Sequence, residues 1–495
     1  MKTPVKIILW GQEVGQLTWD SRRHNSYFTF SRQFLEAGHD LAPLIAPIGR
    51  VDARLPKWGL PGKFQNLPSF LADSLPDDWG NQLFDQWRRE NRLPDTDSIC
   101  LEKLSFIGSR GMGALEFVPA IERQGIIDTV NVGSLVNLAR KIMTQREEVR
   151  ILPEEELTMQ ALIHVGTSAG GRQPKALVSR HRDTGEMRSG QIECLTDYDY
   201  HILKFGDANR SSAELEMTYY LMAKFAGINI SPSELVDIEG ERHFLTKRFD
   251  RREDGDKLHV QTLAALWPES DSYETLLQVC RRLGLPESDV EEVYRRMVFN
   301  VLSNNTDDHN KNFSFIMDRS GCWSLAPAYD VTFIFNRGGY QAQATRCLSI
   351  RGKLENITRD DCLKFASDNG IKNALEIIES VIAAITEFPA FAANCGVKVE
   401  WQKRVSDAIE SILNQWHERQ EQEVSDFAVD GHSVQDFRIE QAYKGNYHLY
   451  AIVDGRPKTF ILRNKQPEHV LISMRGIGGL TAEDREFLIR KFINL

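Results

Sequence analysis

Asp307 and Asn312, in the run Asn304-Asn305-Thr306-Asp307-Asp308-His309-Asn310-Lys311-Asn312, have an Asp-x-x-x-x-Asn spacing. Phosphoryl transfer to a hydroxyl uses such a pair: a carboxylate that receives or orients the hydroxyl proton, and an amide whose oxygen binds a metal ion. A hard cation such as Mg²⁺ needs further oxygen ligands, usually one or two carboxylates plus substrate phosphates. Asp330 is the candidate, a charge inside the apolar run Leu325-Ala326-Pro327-Ala328-Tyr329-Asp330-Val331-Thr332-Phe333-Ile334. An uncompensated buried carboxylate is costly, so a metal or a cationic partner would explain it. An aspartate in a turn at a strand end would read the same way.

Three upstream segments could grip the rest of a nucleotide. Gly166-Thr167-Ser168-Ala169-Gly170-Gly171-Arg172-Gln173-Pro174-Lys175 is a glycine-rich loop with two hydroxyls and two cations. Gly170 and Gly171 let backbone N–H groups approach phosphate oxygens, and Lys175 can offset their charge. The loop lacks the Gly-Lys-Ser/Thr ending of a Walker loop, and a flexible solvent loop has the same composition. Lys204 interrupts the apolar strand pattern His201-Ile202-Leu203-Lys204-Phe205, the position of a lysine that meets the α and β phosphates. Glu216, on the helix that follows, is its expected partner, although a solvated surface glutamate fits the position equally well. Lys247 and Phe249, in Leu245-Thr246-Lys247-Arg248-Phe249-Asp250-Arg251, fall where a link between lobes would meet adenine, and Lys311 completes the candidate nucleotide-binding set.

The elements that must position these groups follow from periodicity. Val290, Val293, Met297 and Val301 recur at helical steps, so Asp307 should emerge on a loop at a helix end. Ser211-Ser212-Ala213-Glu214 reads as a capping box opening a helix with a Leu215, Tyr219, Met222, Ala226 stripe. Residues 1 to about 60 alternate apolar runs with turns and predict a small antiparallel β module. Residues 66 to 120 have helical texture ending in Gly108-Ser109-Arg110-Gly111-Met112-Gly113, read as tight-turn packing because no dinucleotide fingerprint is present.

The fold class expected is α+β: a two-lobed, protein-kinase-like core with a small β-rich lobe and a larger helical lobe, an N-terminal β-rich subdomain, and a small α+β C-terminal extension. The expected divisions are 1–125, 126–250, 251–425 and 426–495. In the last, β-like runs at 447–453, 459–462 and 469–474 precede a helix opening at Thr481.

With 495 residues, 41% hydrophobic and 26% charged, the chain has the composition of two or three globular domains rather than of disorder. A formal charge of -10 and a pI near 5.7 argue against a surface built to bind nucleic acid. Seven dispersed cysteines without a CxxC pair suggest reduced thiols. No signal peptide or long apolar span is read, so a cytoplasmic location with no membrane contact is expected.

The ordered motifs Gly-Thr-Ser-Ala-Gly-Gly-Arg-Gln-Pro-Lys-Ala, His-Ile-Leu-Lys-Phe, Lys-Arg-Phe-Asp-Arg, Asn-Thr-Asp-Asp-His-Asn-Lys-Asn and Ala-Tyr-Asp-Val resemble the HipA toxin kinases over about residues 1 to 420. Leu71-Ala72-Asp73-Ser74-Leu75-Pro76-Asp77-Asp78-Trp79-Gly80 resembles the family's N-terminal region. The resemblance implies an ATP-dependent serine/threonine kinase of a type II toxin-antitoxin pair. It implies Asp307 as catalytic base, Asn312 and Asp330 as Mg²⁺ ligands, Lys204 as the ATP contact, and Ser168 as a self-phosphorylated inhibitory serine. A phosphate on Ser168 would add nearly two negative charges to a mobile loop. It also implies a protein substrate, in relatives an aminoacyl-tRNA synthetase, and a separately encoded helix-turn-helix antitoxin through which DNA is met indirectly. Asn305-Thr306 stand where general protein kinases carry His-Arg, and Tyr-Asp-Val replaces Asp-Phe-Gly. Residues from about 426 have no counterpart in that resemblance.

Other readings compete. Gly166-Thr167-Ser168-Ala169-Gly170 matches a Gly-x-Ser-x-Gly hydrolase elbow, with Asp250 and His309 following, but Gly171 and Pro174 oppose the strand-to-helix turn an elbow needs. Asp307, Asp308 and His309 could form a metal cluster, yet neighbours on one loop rarely all face one ion, which favours structural roles for Asp308 and His309. A kinase-like regulatory protein that binds without turnover is the third alternative.

Overall fold

The structure is a computed structural model and describes residues 4–48, 64–121, 132–144, 156–166, 173–189, 197–336, 341–422, 427–429, 431–442, 446–462 and 490. Strand Val5–Leu9 turns at Trp10 and Gly11, both at positive φ (50° and 81°), into strand Gln12–Asp20. Two left-handed residues are what a tight hairpin twist requires, and glycine adopts that region without strain. Strand Asn25–Phe30 extends the sheet on one side. The other side is closed by Leu115–Val118, which arrives after the helical segment and pairs antiparallel with Val5–Leu9. A four-residue strand carries too short an alternation to be read without its partner.

The helical stretch between them divides its apolar faces between two cores. Phe70, Leu71 and Leu104 join Ile7, Leu17 and Phe117 beneath the N-terminal sheet. Trp79, Leu83 and Phe84, from helix Asp78–Glu90, instead join Ala176, Val178, Leu203 and Leu245 of a second sheet. That second sheet has five antiparallel strands in the order Met187–Ser189, Lys175–His181, Tyr198–Lys204, Glu241–Lys247, Ser233–Ile238. Helices Val132–Thr144 and Glu156–Gly166 contribute to the same core.

Helix Ser212–Phe225 follows the lysine-bearing strand, as its apolar stripe predicts. The expected capping box does not form at its start. Ser211 sits at φ 48° without a side-chain cap bond, and its hydroxyl accepts the Lys398 backbone N–H instead. The larger lobe is helical, with Tyr273–Arg282, Glu287–Leu302, Ala374–Thr386 and Phe388–Cys395, and carries a small sheet ordered His259–Thr262, Ser314–Met317, Trp323–Leu325. Val290, Val293, Met297 and Val301 are all buried, so the helix Glu287–Leu302 packs on the face its periodicity marks.

The C-terminal unit carries an antiparallel sheet of strands Phe427–Val429, His432–Ala442, Asn446–Val453 and Arg456–Leu462 in sequence order. Two of the expected β runs fall in it. The run 469–474 and the helix start at Thr481 lie outside the described residues.

Candidate active site

Strand Tyr198–Lys204 ends with the Lys204 side chain buried. Its ammonium contacts Glu216, in the second turn of the following helix, and lies 2.6 Å from an oxygen of Asp330. Burial works against charge on Lys204, but the Asp330 and Glu216 carboxylates outweigh it and hold the ammonium well above its ordinary value. Lys204 in turn holds the Asp330 carboxyl well below the usual range, against burial and with help from Lys175. Burial pushes Glu216 up while Lys204 pulls the other way. Asp330 adopts φ 56°, a left-handed conformation uncommon outside glycine that aspartate enters more readily than most residues.

These groups open onto a cavity of about 350 Å³. Lys175, Lys204, Glu216, Lys247, Phe249, Lys311, Asn312 and Asp330 all line it. Lys175 is buried, and that burial pushes its ammonium down to about 8. Lys247 pairs with Asp199 at 3.2 Å, and Phe249 packs against Tyr329 with ring centroids 5.6 Å apart. Asp307 is exposed and is not among the lining residues; its carbonyl accepts a 2.8 Å bond from Asn312 Nδ2. That bond commits the Asn312 nitrogen and leaves its oxygen, the atom a hard cation prefers. Ser168, Gly170 and Gly171 lie outside the described residues.

Among the described residues, no three His, Cys, Asp or Glu side chains are grouped so that they could hold a metal ion. Asn312 brings an amide oxygen to the cavity and Asp330 a carboxylate, both hard-oxygen donors. This fits Mg²⁺, which takes few protein ligands and draws the remainder from phosphates and water.

The loop bearing Asp307 is held by its neighbour. Asp308 is buried and accepts bonds from Tyr273 Oη (2.7 Å), Arg346 Nη1 (2.9 Å) and the backbone N–H of Cys347 (2.9 Å) and Leu348 (3.3 Å). Asn300 donates to the same Tyr273 hydroxyl. Asp308 is therefore an anchor rather than a metal ligand. Asp250, the acid of the hydrolase reading, is clamped by Arg248 and Arg251 and by the N–H of Gly113 at 2.7 Å. A Cβ at Gly113 would stand 3.0 Å from the Val260 nitrogen, so the glycine turn packs tightly there, as its composition predicts.

Several lining residues escaped the sequence reading. Asp73 accepts the N–H (2.8 Å) and hydroxyl (2.6 Å) of Thr262, Asp77 pairs with Lys311, and Tyr329 Oη donates to the Lys311 carbonyl at 2.6 Å. Asp73 and Asp77 belong to the 71–80 motif. Nothing in the local pattern of that stretch marks their proximity to the cavity.

A small antiparallel lobe carrying a lysine–glutamate pair, and a helical lobe supplying an Asp-x-x-x-x-Asn loop, define a protein-kinase-like α+β fold. The HipA-like C-terminal domain matches residues 167–415 and the HipA N-terminal domain matches residues 5–118. The chain belongs to the HipA-like family. It is 25% identical over 397 residues to the Y4mE protein of Sinorhizobium fredii, covering 75% of this chain and 87% of that one. It is 21% identical over 347 residues to the serine/threonine-protein kinase toxin HipA of Shewanella oneidensis, covering 65% of this chain and 73% of that one. The solved complex of Shewanella oneidensis HipA with HipB and operator DNA shares the fold, with a TM-score of 0.59 at 16% identity, covering 84% of this chain and 97% of that one. No helix among the described residues is long and apolar enough to cross a membrane.

Proposed function

We propose that this chain is an Mg²⁺-dependent protein serine/threonine kinase that transfers the γ-phosphate of ATP to a protein hydroxyl and to its own Ser168. The reading rests above all on Lys204, which touches Glu216 of the small lobe and Asp330 of the large one at the same cavity. Lys204 meets the α and β phosphates. Lys175 and, from the loop outside the described residues, Gly170 and Gly171 receive the remaining phosphate charge, while Lys247 and Phe249 border the adenine. Mg²⁺ bound by Asn312 and Asp330 would neutralise charge developing on the transferred group. Asp307 takes the proton of the attacking hydroxyl. A bond forms from that oxygen to the γ-phosphorus as the bond to the β–γ bridging oxygen breaks, and ADP leaves.

The partners follow from the family. The related Shewanella oneidensis protein is named a toxin, and its solved complex holds HipB and operator DNA. A toxin role restrained by a separately encoded helix-turn-helix antitoxin is proposed here by analogy, with DNA met only through that partner, an aminoacyl-tRNA synthetase as the class of target, and action in the cytoplasm. The divisions 1–125, 126–250, 251–425 and 426–495 remain the proposed domains.

Incubation with Mg²⁺ and γ-labelled ATP tests both acceptors. Label is expected on Ser168, and equal labelling of Ser168→Ala would refute that assignment. No transfer to any protein, including those of a cell lysate, would refute the kinase reading.

A further inference from the structure

Asp77 occupies the N-cap position of helix Asp78–Glu90, where a carboxylate ordinarily accepts a backbone N–H of its own first turn. It makes no side-chain cap bond. One of its oxygens lies 2.5 Å from the Lys311 ammonium instead, across 234 positions of sequence. Lys311 is placed to respond to the site contents. Its carbonyl is bound by Tyr329, the residue before Asp330, its neighbour Asn312 bonds Asp307, and its side chain lines the cavity with Lys175 and Lys204. Asp73 and Asp78 add to the negative surroundings of the ammonium.

We propose that Asp77 is a stand-in for the terminal phosphate: it holds Lys311 until ATP arrives, then yields the lysine to the γ-phosphate and turns back to cap its own helix. The exchange is nearly balanced, because each group leaves one ionic partner for another. Lys311 trades a carboxylate for a phosphate, and Asp77 trades an ammonium for backbone N–H groups at a helix N-terminus, where negative charge is favoured. ADP lacks the phosphate that would take Lys311 and leaves the latch closed. Lys311 is thus the group that makes binding depend on the third phosphate, and Asp77, by competing for it, tempers the advantage of ATP over ADP. The exchange also ties the N-terminal segment to nucleotide state. This inference rests on the kinase reading of the same cavity.

The test is calorimetric binding of ADP and of the β,γ-imido analogue of ATP, each with Mg²⁺, to the full chain and its variants. Asp77→Asn removes the competing charge and keeps a capping side chain. It should tighten the triphosphate by about two- to fivefold, the range of a partly exposed ion pair, and ADP by less. Asp77→Ser should behave alike. Lys311→Met should lower the triphosphate-to-ADP preference, and adding Asp77→Asn to it should change that preference no further. An unchanged preference in Asp77→Asn, or an equal rise with Lys311 already removed, would overturn the latch while leaving the kinase reading intact. Failure of the wild type to bind either nucleotide would overturn both.

Discussion

Lys204 Nζ lies 2.6 Å from Oδ1 of Asp330, a residue 126 positions further along the chain, while the same ammonium contacts Glu216. One buried cation thereby joins the strand of the small lobe to the segment that brings a candidate metal ligand from the large one. Replacing it by Lys204→Met leaves Glu216 buried without its counter-charge. The variant should lose transfer and about 3 kcal/mol of stability, moderated by Glu216 taking up a proton. Urea unfolding checks the second figure, and a loss below about 0.5 kcal/mol would mean the pair is stabilised elsewhere.

Asp330→Asn keeps the shape of the side chain and removes the charge a divalent ion needs. Mg²⁺ should strengthen ATP binding to the wild type and do little for the variant. Calorimetry with and without Mg²⁺ measures this directly, and an equal response in both proteins would remove Asp330 from the metal site.

Asp308 holds the loop that bears Asp307 through four donors, among them Arg346 and Tyr273. Asp308→Ala strands the buried guanidinium and should cost about 3–5 kcal/mol. Tyr273→Phe removes one hydroxyl and should cost about 1 kcal/mol. The order of these losses in thermal or chemical unfolding is the check, and a neutral Asp308→Ala would show the loop to be anchored some other way.

Lys175 titrates near 8 in the folded chain because burial disfavours its charge, against an ordinary value of 10.5. Between about pH 8 and 10 the unfolded chain holds a proton that the folded chain has released. The Lys175 contribution to stability therefore rises with pH across that window, by at most about 1.4 kcal/mol per pH unit, and is flat below it. The difference in unfolding free energy between wild type and Lys175→Met should change with that sign. A difference constant from pH 7 to 10 would contradict the burial of an ionisable group there.

The parts of the site that were legible are those whose chemistry contradicts their local pattern. Lys204 stands out because it is charged at the end of an apolar strand, and Asp330 because it interrupts an apolar run. Asp307 and Asn312 announce themselves by spacing. Glu216 was ambiguous: nothing local separates a glutamate facing the lysine from one facing water. The contacts that remained hidden are long-range. Arg346 and Asp308 are 38 positions apart, Asp77 and Lys311 are 234 apart, and no periodicity links either pair. In the fold, the Val5–Leu9 hairpin was readable from alternation and its Trp10-Gly11 turn. Its partner Leu115–Val118 was not, because its pairing is decided by tertiary packing. Ser211 shows the same limit in reverse, a sound local capping signal overridden by a bond to Lys398.

Phosphate transfer by Asp307→Asn, measured alongside its ATP affinity, bears most directly on the assignment of this site. Transfer should fall by at least about a hundredfold, within the range a general base supplies, while ATP binds within about threefold of wild type. Transfer at the wild-type rate would contradict the account.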